Sequence, residues 1–148
     1  MKVIFAKTTL TDADTLVAMR IEAMRESLER IGRFDPQRAR DRFLATFEPA
    51  YCKFIVADGQ CAGFIVFKPA EDHFALEHLY ILPEHQGKGI GAAVLSSVFD
   101  EADSQSLPVR VGALRDSDSN RFYLRHGFVK VNESEWDIYY VRAPECQR

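Results

Sequence analysis

The sequence predicts one mixed α/β domain over residues 1–148, built on a mostly antiparallel sheet of about seven strands with helices on both faces. Short alternating apolar segments typical of strands recur among longer segments with helical periodicity. One crossover, from a strand through a glycine-rich loop and a helix to the next strand, makes one strand pair parallel. The length of 148 residues, with 47% hydrophobic and 28% charged residues, is typical of a soluble globular domain with a sizeable core.

The chain opens with a strand and a helix. Residues 2–8 alternate weakly and predict the strand. Thr11 is a favourable N-cap for the helix that follows, and Gly32 is placed to end it. The buried face of this helix is predicted at Leu16, Met19, Ile21, Met24 and Leu28.

A second helix is predicted to begin at Asp35-Pro36, because aspartate caps a helix and proline is tolerated in its first turn. Pro49 is placed to end this helix. Its predicted buried residues are Phe43, Leu44 and Phe47.

A hairpin and a third strand follow. Residues 53–57 and 61–67 flank Asp58-Gly59, a dipeptide that favours a tight hairpin turn. Residues 74–81, FALEHLYI, form the next predicted strand, which leads into the glycine-rich loop.

The three cysteines, Cys52, Cys61 and Cys146, lack the spacing of a metal or redox motif. Pairing about the hairpin turn places Val56 opposite Cys61 and Ile65 opposite Cys52, so these two thiols are not cross-strand partners. Reduced thiols in a cytoplasmic protein are the simplest interpretation.

The last part of the chain predicts a helix, a strand, a short helix and a closing strand pair. Residues 90–104 form the first helix, rich in small and apolar residues. The short helix has Asp118 or Ser117 as its cap and Gly127 as its end. The predicted strands are LPVRVGAL, which runs parallel to FALEHLYI, and the antiparallel segments FVKVN and EWDIYYVRA.

The loop QGKGIGA, residues 86–92, is the main chemical signal. Glycines let the backbone approach a ligand closely, and the N-terminus of the following helix favours an anion such as a diphosphate. A triphosphate loop is excluded because Gly89, instead of Ser or Thr, follows Lys88. A dinucleotide site is disfavoured because the next strand, 109–114, carries no acidic residue for the ribose.

Two motifs resemble the GNAT superfamily of N-acetyltransferases. Gln86-Gly87-Lys88-Gly89-Ile90-Gly91 matches the superfamily pattern Gln/Arg-x-x-Gly-x-Gly/Ala, and the preceding LYILPEH is similar to its strand-and-proline lead-in. Downstream, SNRFYLRHGF resembles the later helix of the superfamily, in which a Tyr precedes a Gly-Phe pair. The order of elements agrees along essentially the whole chain.

The resemblance implies that the chain binds acetyl-CoA without a metal. The pantetheine arm would lie where two parallel strands splay apart, here FALEHLYI and PVRVGAL, and the backbone of Leu79 and Ile81 would bond it and polarise the thioester. The implied cofactor-binding residues are Leu79, Tyr80, Ile81, Gln86, Gly87, Lys88, Gly89, Ile90, Gly91, Ala92, Asn120 and Tyr123.

The resemblance also implies direct acetyl transfer to an acceptor amine within a ternary complex. Tyr123 matches the general acid of the superfamily, and a phenol with an ordinary pKa near 10 is protonated at neutral pH and suited to protonate the departing thiolate. Glu77 is the preferred base, with His78 on the opposite face of the strand and water as alternatives. Many members carry Asn seven residues before the Tyr; this chain has Asp116 there, and Asn120 lies closer.

The acceptor of this fold usually meets the loops that correspond to residues 29–35 and 132–136. The arginines among residues 20–42 are interpreted mainly as a solvated helix surface with i,i+4 ion pairs. Residues singled out on the acceptor side are Arg20, Glu22, Phe34 and Trp136.

Several function classes are disfavoured. A net charge of −3 does not indicate nucleic-acid binding, and no apolar run approaches the roughly 20 residues of a membrane span. The four histidines show no ligand spacing, so no metal is expected. An acetyl-CoA-dependent enzyme in the cytoplasm, possible as a homodimer, is the first hypothesis, and a non-catalytic acetyl-CoA sensor is the alternative.

Overall fold

The sheet explains how the candidate loop is positioned. The computed structural model describes residues 1–145. The strands are β1 (Val3–Lys7), β2 (Cys52–Ala57), β3 (Gln60–Pro69), β4 (Phe74–Ile81), β5 (Val109–Leu114), β6 (Val129–Glu133) and β7 (Asp137–Arg142), and the helices are α1 (Ala13–Arg30), α2 (Pro36–Thr46), α3 (Ile90–Ser104) and α4 (Ser119–Arg125). In this described part, the strands form a seven-stranded sheet in the order β1-β2-β3-β4-β5-β7-β6. The β4–β5 pair is parallel and β1–β2, β2–β3, β5–β7 and β6–β7 are antiparallel, which confirms the predicted fold class.

Packing divides the chain into two compact units that alternate along the sequence. Unit 1 contains Met1–Val66 and His78–Gly91, and unit 2 contains Phe67–Glu77 and the chain from Ala92 onward. Strands β3 and β4 each continue from one unit into the other. A single domain over residues 1–148 therefore stays a prediction.

In unit 1, the predicted cap of α1 is wrong by one residue, because Asp12 and not Thr11 occupies the N-cap position. Thr9 and Asp12 cap a short 3₁₀ turn at Leu10–Asp12, and the Thr9 amide donates to Asp12 Oδ2 over 2.8 Å. Thr11 lies inside this turn, so α1 begins only at Ala13. The end of α1 follows the prediction, because Gly32 adopts φ +70° and its amide donates to the Glu29 carbonyl.

Helix α2 begins at Pro36, as predicted, and the Asp35 carboxylate accepts from the Arg38 amide over 3.1 Å. Leu44 is 38% exposed, against the prediction, because Phe43 occupies the inner face of the helix, where it stacks on Phe47 just after the helix end. The helix ends at Thr46, and Pro49 begins a separate 3₁₀ turn. One hydrophobic cluster in the core of unit 1 contains Leu16, Val17, Met19, Phe43, Cys52, Phe64 and Val66.

The β2–β3 hairpin has the predicted turn but a shifted register. Asp58 and Gly59 both have positive φ, at 48° and 81°, as a tight hairpin turn requires. Val56 faces Cys61, as predicted, but a bulge next to Val56 places Val66 instead of Ile65 opposite Cys52. The thiols of Cys52 and Cys61 are not cross-strand partners in either register. Cys146, grouped with them in the sequence, lies outside the described residues.

Unit 2 contains the parallel ladder and the closing strands. Phe74, Ala75 and Leu76 of β4 pair with Val109, Arg110 and Val111 of β5. Strand β7 pairs with β5 along its whole length and β6 pairs with β7. Gly127, with φ +89°, follows the end of α4 as predicted. Among residues 1–145, no helix combines the length and the apolar character that crossing a membrane requires.

Candidate functional site

The glycine-rich loop turns the chain from β4 into α3 in a conformation that only glycine adopts easily. Gly87 and Gly89 have φ of 76° and 81°. A Cβ added at either position would meet no atom within 4 Å, so the backbone conformation, and not lack of space within the chain, is what requires glycine there. Residues 86–89 are exposed, whereas Ile90, the first residue of α3, is only 2% exposed and anchors the helix.

The N-terminus of α3 suits a bound anion. The first turn of the helix contains no acidic side chain. Its amide groups have no partner within the helix by geometry, and they carry the positive end of the helix dipole. Together with the exposed loop before it, this end of α3 presents a backbone cradle of the kind that holds diphosphates.

Gln86 holds the beginning of the loop against the end of β4. Its side-chain Nε2 donates to the carbonyl of Ile81 over 2.9 Å. A 3₁₀ turn at Pro83–His85 closes the segment between them, and the Gln86 amide donates to the Pro83 carbonyl over 3.2 Å. The loop is therefore tied to the strand by both the side chain and the backbone of Gln86.

The end of β4 lies unusually close to β3. The carbonyl oxygen of Tyr80 approaches Gly63 so closely that a side chain at position 63 would collide with it. The Leu82 amide donates to the Ala62 carbonyl over 2.8 Å, and the Tyr80 ring lies 5.1 Å from Phe64 between centroids. The segment from Leu79 to Ile81 is half-buried and firmly held.

In unit 2, Tyr123 occupies the middle of α4 and is 4% exposed. Its ring packs against Phe128 at 5.2 Å, Phe122 at 5.5 Å and Tyr140 at 6.3 Å between centroids. The Tyr123 carbonyl accepts from the Phe128 amide, which closes the turn after the helix. Packing thus fixes the orientation of this ring.

A family model, described as the acetyltransferase (GNAT) domain, matches residues 50–130. This segment is more than half of the chain, and it includes the glycine-rich loop and Tyr123. The chain belongs to the GNAT acetyltransferase family. The predicted resemblance is thereby confirmed.

Curated relatives of this chain include proteins of Staphylococcus aureus described as N-acetyltransferases. Uncharacterized N-acetyltransferases of strains COL and N315 are each 36% identical to this chain over 67 residues, which is 45% of the chain. The match covers 42% of the length of these relatives, less than half of each.

Solved structures share the fold at low sequence identity. The PaiA N-acetyltransferase of Thermoplasma acidophilum, in complex with coenzyme A, matches with a TM-score of 0.77 and 18% identity over 97% of this chain and 99% of its own. The ribosomal-protein-S18-alanine N-acetyltransferase of Escherichia coli matches with a TM-score of 0.68 and 16% identity over 99% and 97% of the two chains. At such identity the likeness shows the GNAT fold.

The GNAT motif position seven residues before Tyr123 is a turn residue in this chain. Asp116 adopts φ +66°, a conformation that aspartate tolerates better than most residues. Asn120 lies in the first turn of α4, where its Nδ2 donates to the carbonyls of Leu114 and Ser117 over 2.9 Å each. Its Oδ1 accepts from the Tyr140 hydroxyl over 2.7 Å. The side-chain amide of Asn120 is thus hydrogen-bonded to three residues of unit 2, namely Leu114, Ser117 and Tyr140.

The two base candidates have different surroundings. Glu77 was expected in a buried strand, but its side chain is 36% exposed and lies 3.5 Å from the ammonium of Lys68, so an ion pair at the surface accounts for the charge. His78 belongs to unit 1, where its ring packs at 5.7 Å from Phe43 and 5.5 Å from Tyr80 between centroids. Its Nδ1 lies 3.3 Å from the Tyr80 hydroxyl.

The residues singled out on the acceptor side have mostly structural contacts. Arg20 donates to the Ala39 carbonyl over 3.2 Å and so joins α1 to α2. The Arg25 guanidinium stacks 4.6 Å above the Phe34 ring. Glu22 and Trp136 are exposed. Two i,i+4 ion pairs are present on α1: Arg30–Glu26, which the sequence predicted, and Arg25–Glu29, which it did not.

Sequence reasoning missed the partners of the candidate residues. Tyr140 was not singled out, although a tyrosine at a buried position of an alternating strand needs a hydrogen-bond partner for its hydroxyl. Lys68 and Gly63 were also missed, since their contacts are made across strands. Among residues 1–145, no group of three or more His, Cys, Asp or Glu side chains is arranged to hold a metal ion.

Proposed function

We propose that this chain is an N-acetyltransferase that moves the acetyl group of acetyl-CoA directly to an amine of a small molecule or protein. The observation that carries the proposal is the exposed backbone cradle formed by Gly87, Gly89 and the N-terminus of α3 in a chain of the GNAT family. With no acidic side chain in the first turn of α3, the backbone amides at this helix end meet no negative charge from that turn and suit a diphosphate.

In the proposed complex, the CoA diphosphate binds the amides of residues 86–92, and Lys88 adds charge at the rim. The pantetheine arm pairs with the backbone of Leu79 to Ile81, which β3 holds in place. Tyr123 belongs to the proposed cofactor site by its motif position, whereas Asn120, three residues before it, does not occupy the motif position of the Asn. No metal takes part in the proposed chemistry.

The proposed reaction begins with a neutral acceptor amine, whose ammonium proton has passed to a base. Glu77 is the proposed base because it is exposed, and His78 and water are alternatives. The amine nitrogen attacks the thioester carbonyl carbon, a C–N bond forms, the C–S bond breaks and the nitrogen releases its second proton to water. The thiolate takes the phenolic proton of Tyr123, which is restored from solvent.

The direct test is turnover by the purified protein. We expect it to release CoA thiol from acetyl-CoA in the presence of one or more members of a panel of primary amines, amino acids and peptide N-termini. A Tyr123→Phe variant should lose most of this activity while retaining CoA binding. Turnover equal to that of the wild type would remove Tyr123 as the acid.

Cofactor binding is tested separately with two matched glycine variants. Gly89 and Gly59 share a φ of 81° and have no atom within 4 Å of an added Cβ, so Gly89→Ala and Gly59→Ala introduce the same backbone strain. That strain costs roughly 1–2 kcal/mol. Only Gly89→Ala should also weaken CoA binding by calorimetry. Equal affinities for CoA in the two variants would contradict the proposed cradle.

The alternative is an acetyl-CoA-binding sensor without catalysis. The burial of Tyr123 among three aromatic rings favours it, because this packing also accounts for the residue without a catalytic role. Tight CoA binding with no thiol release across the amine panel would support the sensor. Binding of NAD(P) but not of CoA would reject both. A cytoplasmic location, where acetyl-CoA and reduced thiols coexist, and a homodimer remain parts of the proposal.

A further inference from the structure

Helix α4, which carries Tyr123, is too short to hold its own position. It spans seven residues, Ser119–Arg125, and Asp118 at its N-cap position makes no side-chain capping bond. Isolated helices of this length are unstable in water. The position of the helix must therefore be set by contacts with the strands around it.

Asn120 supplies three such contacts from the first turn of α4. Its Nδ2 donates to the carbonyl of Leu114, the last residue of β5, and to that of Ser117 in the loop, each over 2.9 Å. Its Oδ1 accepts from the hydroxyl of Tyr140 in β7 over 2.7 Å. Because β5 and β7 are paired strands, Asn120 fastens the helix to a rigid part of the sheet.

Tyr140 is the buried residue of β7 that donates a hydrogen bond to Asn120. The residue is 4% exposed, and burial raises the pKa of its phenol, so that the hydroxyl remains a hydrogen-bond donor well into the alkaline range. Its ring lies 6.3 Å from that of Tyr123 between centroids. Asn120 and Tyr123 are three residues apart and therefore share one face of the helix.

We propose that Tyr140, acting through the side chain of Asn120, is a positioning residue that fixes Tyr123 for its proton transfer. The inference rests on the proposed function, since the proton transfer is part of it. It differs from the sequence prediction for Asn120, because the amide is assigned a bond to a neighbouring side chain rather than a contact with the cofactor. The Tyr140 hydroxyl is the atom on which the proposal depends.

The kinetic test compares two tyrosines of β7. Tyr140→Phe removes the hydroxyl and keeps the ring, and we expect kcat to fall about three- to tenfold, the effect of one hydrogen bond, with little change in KM for acetyl-CoA. Tyr139→Phe is the matched control, because Tyr139 is the next residue and is 39% exposed; its kcat should be unchanged. An unchanged kcat in Tyr140→Phe would overturn the proposal.

A double variant shows whether Tyr140 acts through Tyr123. In a Tyr123→Phe background, Tyr140→Phe should cause no further fall in the residual kcat, because the group that it positions is absent. The same fold-change in both backgrounds would mean that the two residues act independently, which contradicts the proposal. A purely structural role would lower the rate in both backgrounds.

Amide hydrogen exchange separates failure of this inference from failure of the proposed function. Tyr140→Phe should speed exchange in residues 120–124 of α4 about three- to tenfold and leave α3 unchanged. If the wild type releases no thiol with any amine, the proposed function fails, and so does the positioning role of Tyr140 in catalysis. Faster exchange in Tyr140→Phe would still show that the hydrogen bond from Tyr140 to Asn120 holds α4 in place. Unchanged exchange in α4 would show that the hydrogen bond from Tyr140 to Asn120 does not hold the helix, whatever the activity.

Discussion

Lys88 stands out in the sequence QGKGIGA, but its neighbours determine the shape of the loop. Gly87 and Gly89 supply the positive φ angles, and Gln86 ties the loop to the Ile81 carbonyl over 2.9 Å. Lys88 is exposed and contributes charge alone to the proposed cradle. A residue that shapes the backbone is harder to replace here than one that adds a charge at the rim, because charges exposed to water are screened.

Gln86→Ala is expected to weaken CoA binding by removing the bond to the Ile81 carbonyl. The loop would then have to be ordered on binding, and one hydrogen bond corresponds to roughly a three- to tenfold rise in Kd. Calorimetric titration with CoA measures the change. Gln60→Ala, at an exposed glutamine beside the hairpin turn, is the control and should bind as the wild type does. Equal Kd values for the two variants would show that the anchor is dispensable.

At the scale of elements, the spacing of β3 and β4 depends on the absence of a side chain at Gly63. Gly63→Ala would push its Cβ into the Tyr80 carbonyl, a backbone atom that moves only with the strand, whereas Gly112→Ala would place its Cβ 3.3 Å from the Tyr139 ring, which can turn aside. We expect Gly63→Ala to lower the free energy of unfolding by about 1–3 kcal/mol and Gly112→Ala by distinctly less. Urea denaturation compares them. Equal losses would contradict the close strand contact.

The C-terminal ends of β7 and α3 are joined by an ion pair. Arg142 and Asp103 bond through two contacts of 2.7 and 3.1 Å, and each side chain is 8% exposed. Asp103→Asn would leave the buried guanidinium with only the exposed Glu145, at 3.7 Å, as an acidic partner, and losing the buried partner costs about 3–5 kcal/mol. Asp14→Asn breaks the exposed Arg40–Asp14 pair of 2.8 Å, and the cost there should stay below about 1 kcal/mol. Thermal unfolding at neutral pH measures both, and similar losses would reject the distinction.

The same ion pair predicts a pH dependence. The hydrogen bonds from Arg142 hold the pKa of Asp103 below its usual value of 3.8. A carboxyl with a lowered folded-state pKa stabilises the fold above the pKa of the unfolded chain, and this contribution is lost as the pH falls through the folded pKa. Unfolding curves measured below pH 4 should therefore show a smaller acid-induced loss in Asp103→Asn than in the wild type. A parallel loss in both proteins would contradict this assignment.

At the scale of the whole molecule, one buried thiol reports global opening. Cys52 is 0% exposed, and burial raises the pKa of its thiol to about 11, while Cys61 is exposed. In a variant with Cys61→Ser and Cys146→Ser, only Cys52 is left to react with a thiol reagent. Its rate should be at least about a thousandfold lower than the rate of the exposed Cys61 in the wild type. Its rate should rise with urea as global unfolding does. Rapid labelling without denaturant would show that the core opens locally around Cys52, at the start of β2.

Much of the fold could be predicted because local sequence encodes it. Asp35-Pro36 begins α2, Asp58-Gly59 makes the hairpin turn, and α3 has its predicted bounds at residues 90–104. The details that failed depend on neighbours far along the chain or on competition within a turn. The bulge beside Val56 shifts the hairpin register, and the Thr9–Asp12 cap delays α1. Hydrophobic periodicity does not distinguish such alternatives, since each preserves the apolar pattern.

The sequence by itself determined the family, the fold class and the position of the loop, because glycine placement and strand-to-helix order are local properties. Tertiary structure alone decided what each polar candidate contacts. Glu77 meets Lys68 across strands, and Asn120 bonds Tyr140, which lies 20 residues away in the chain. Such partners are set by strand register and helix placement, which arise only when distant segments pack together.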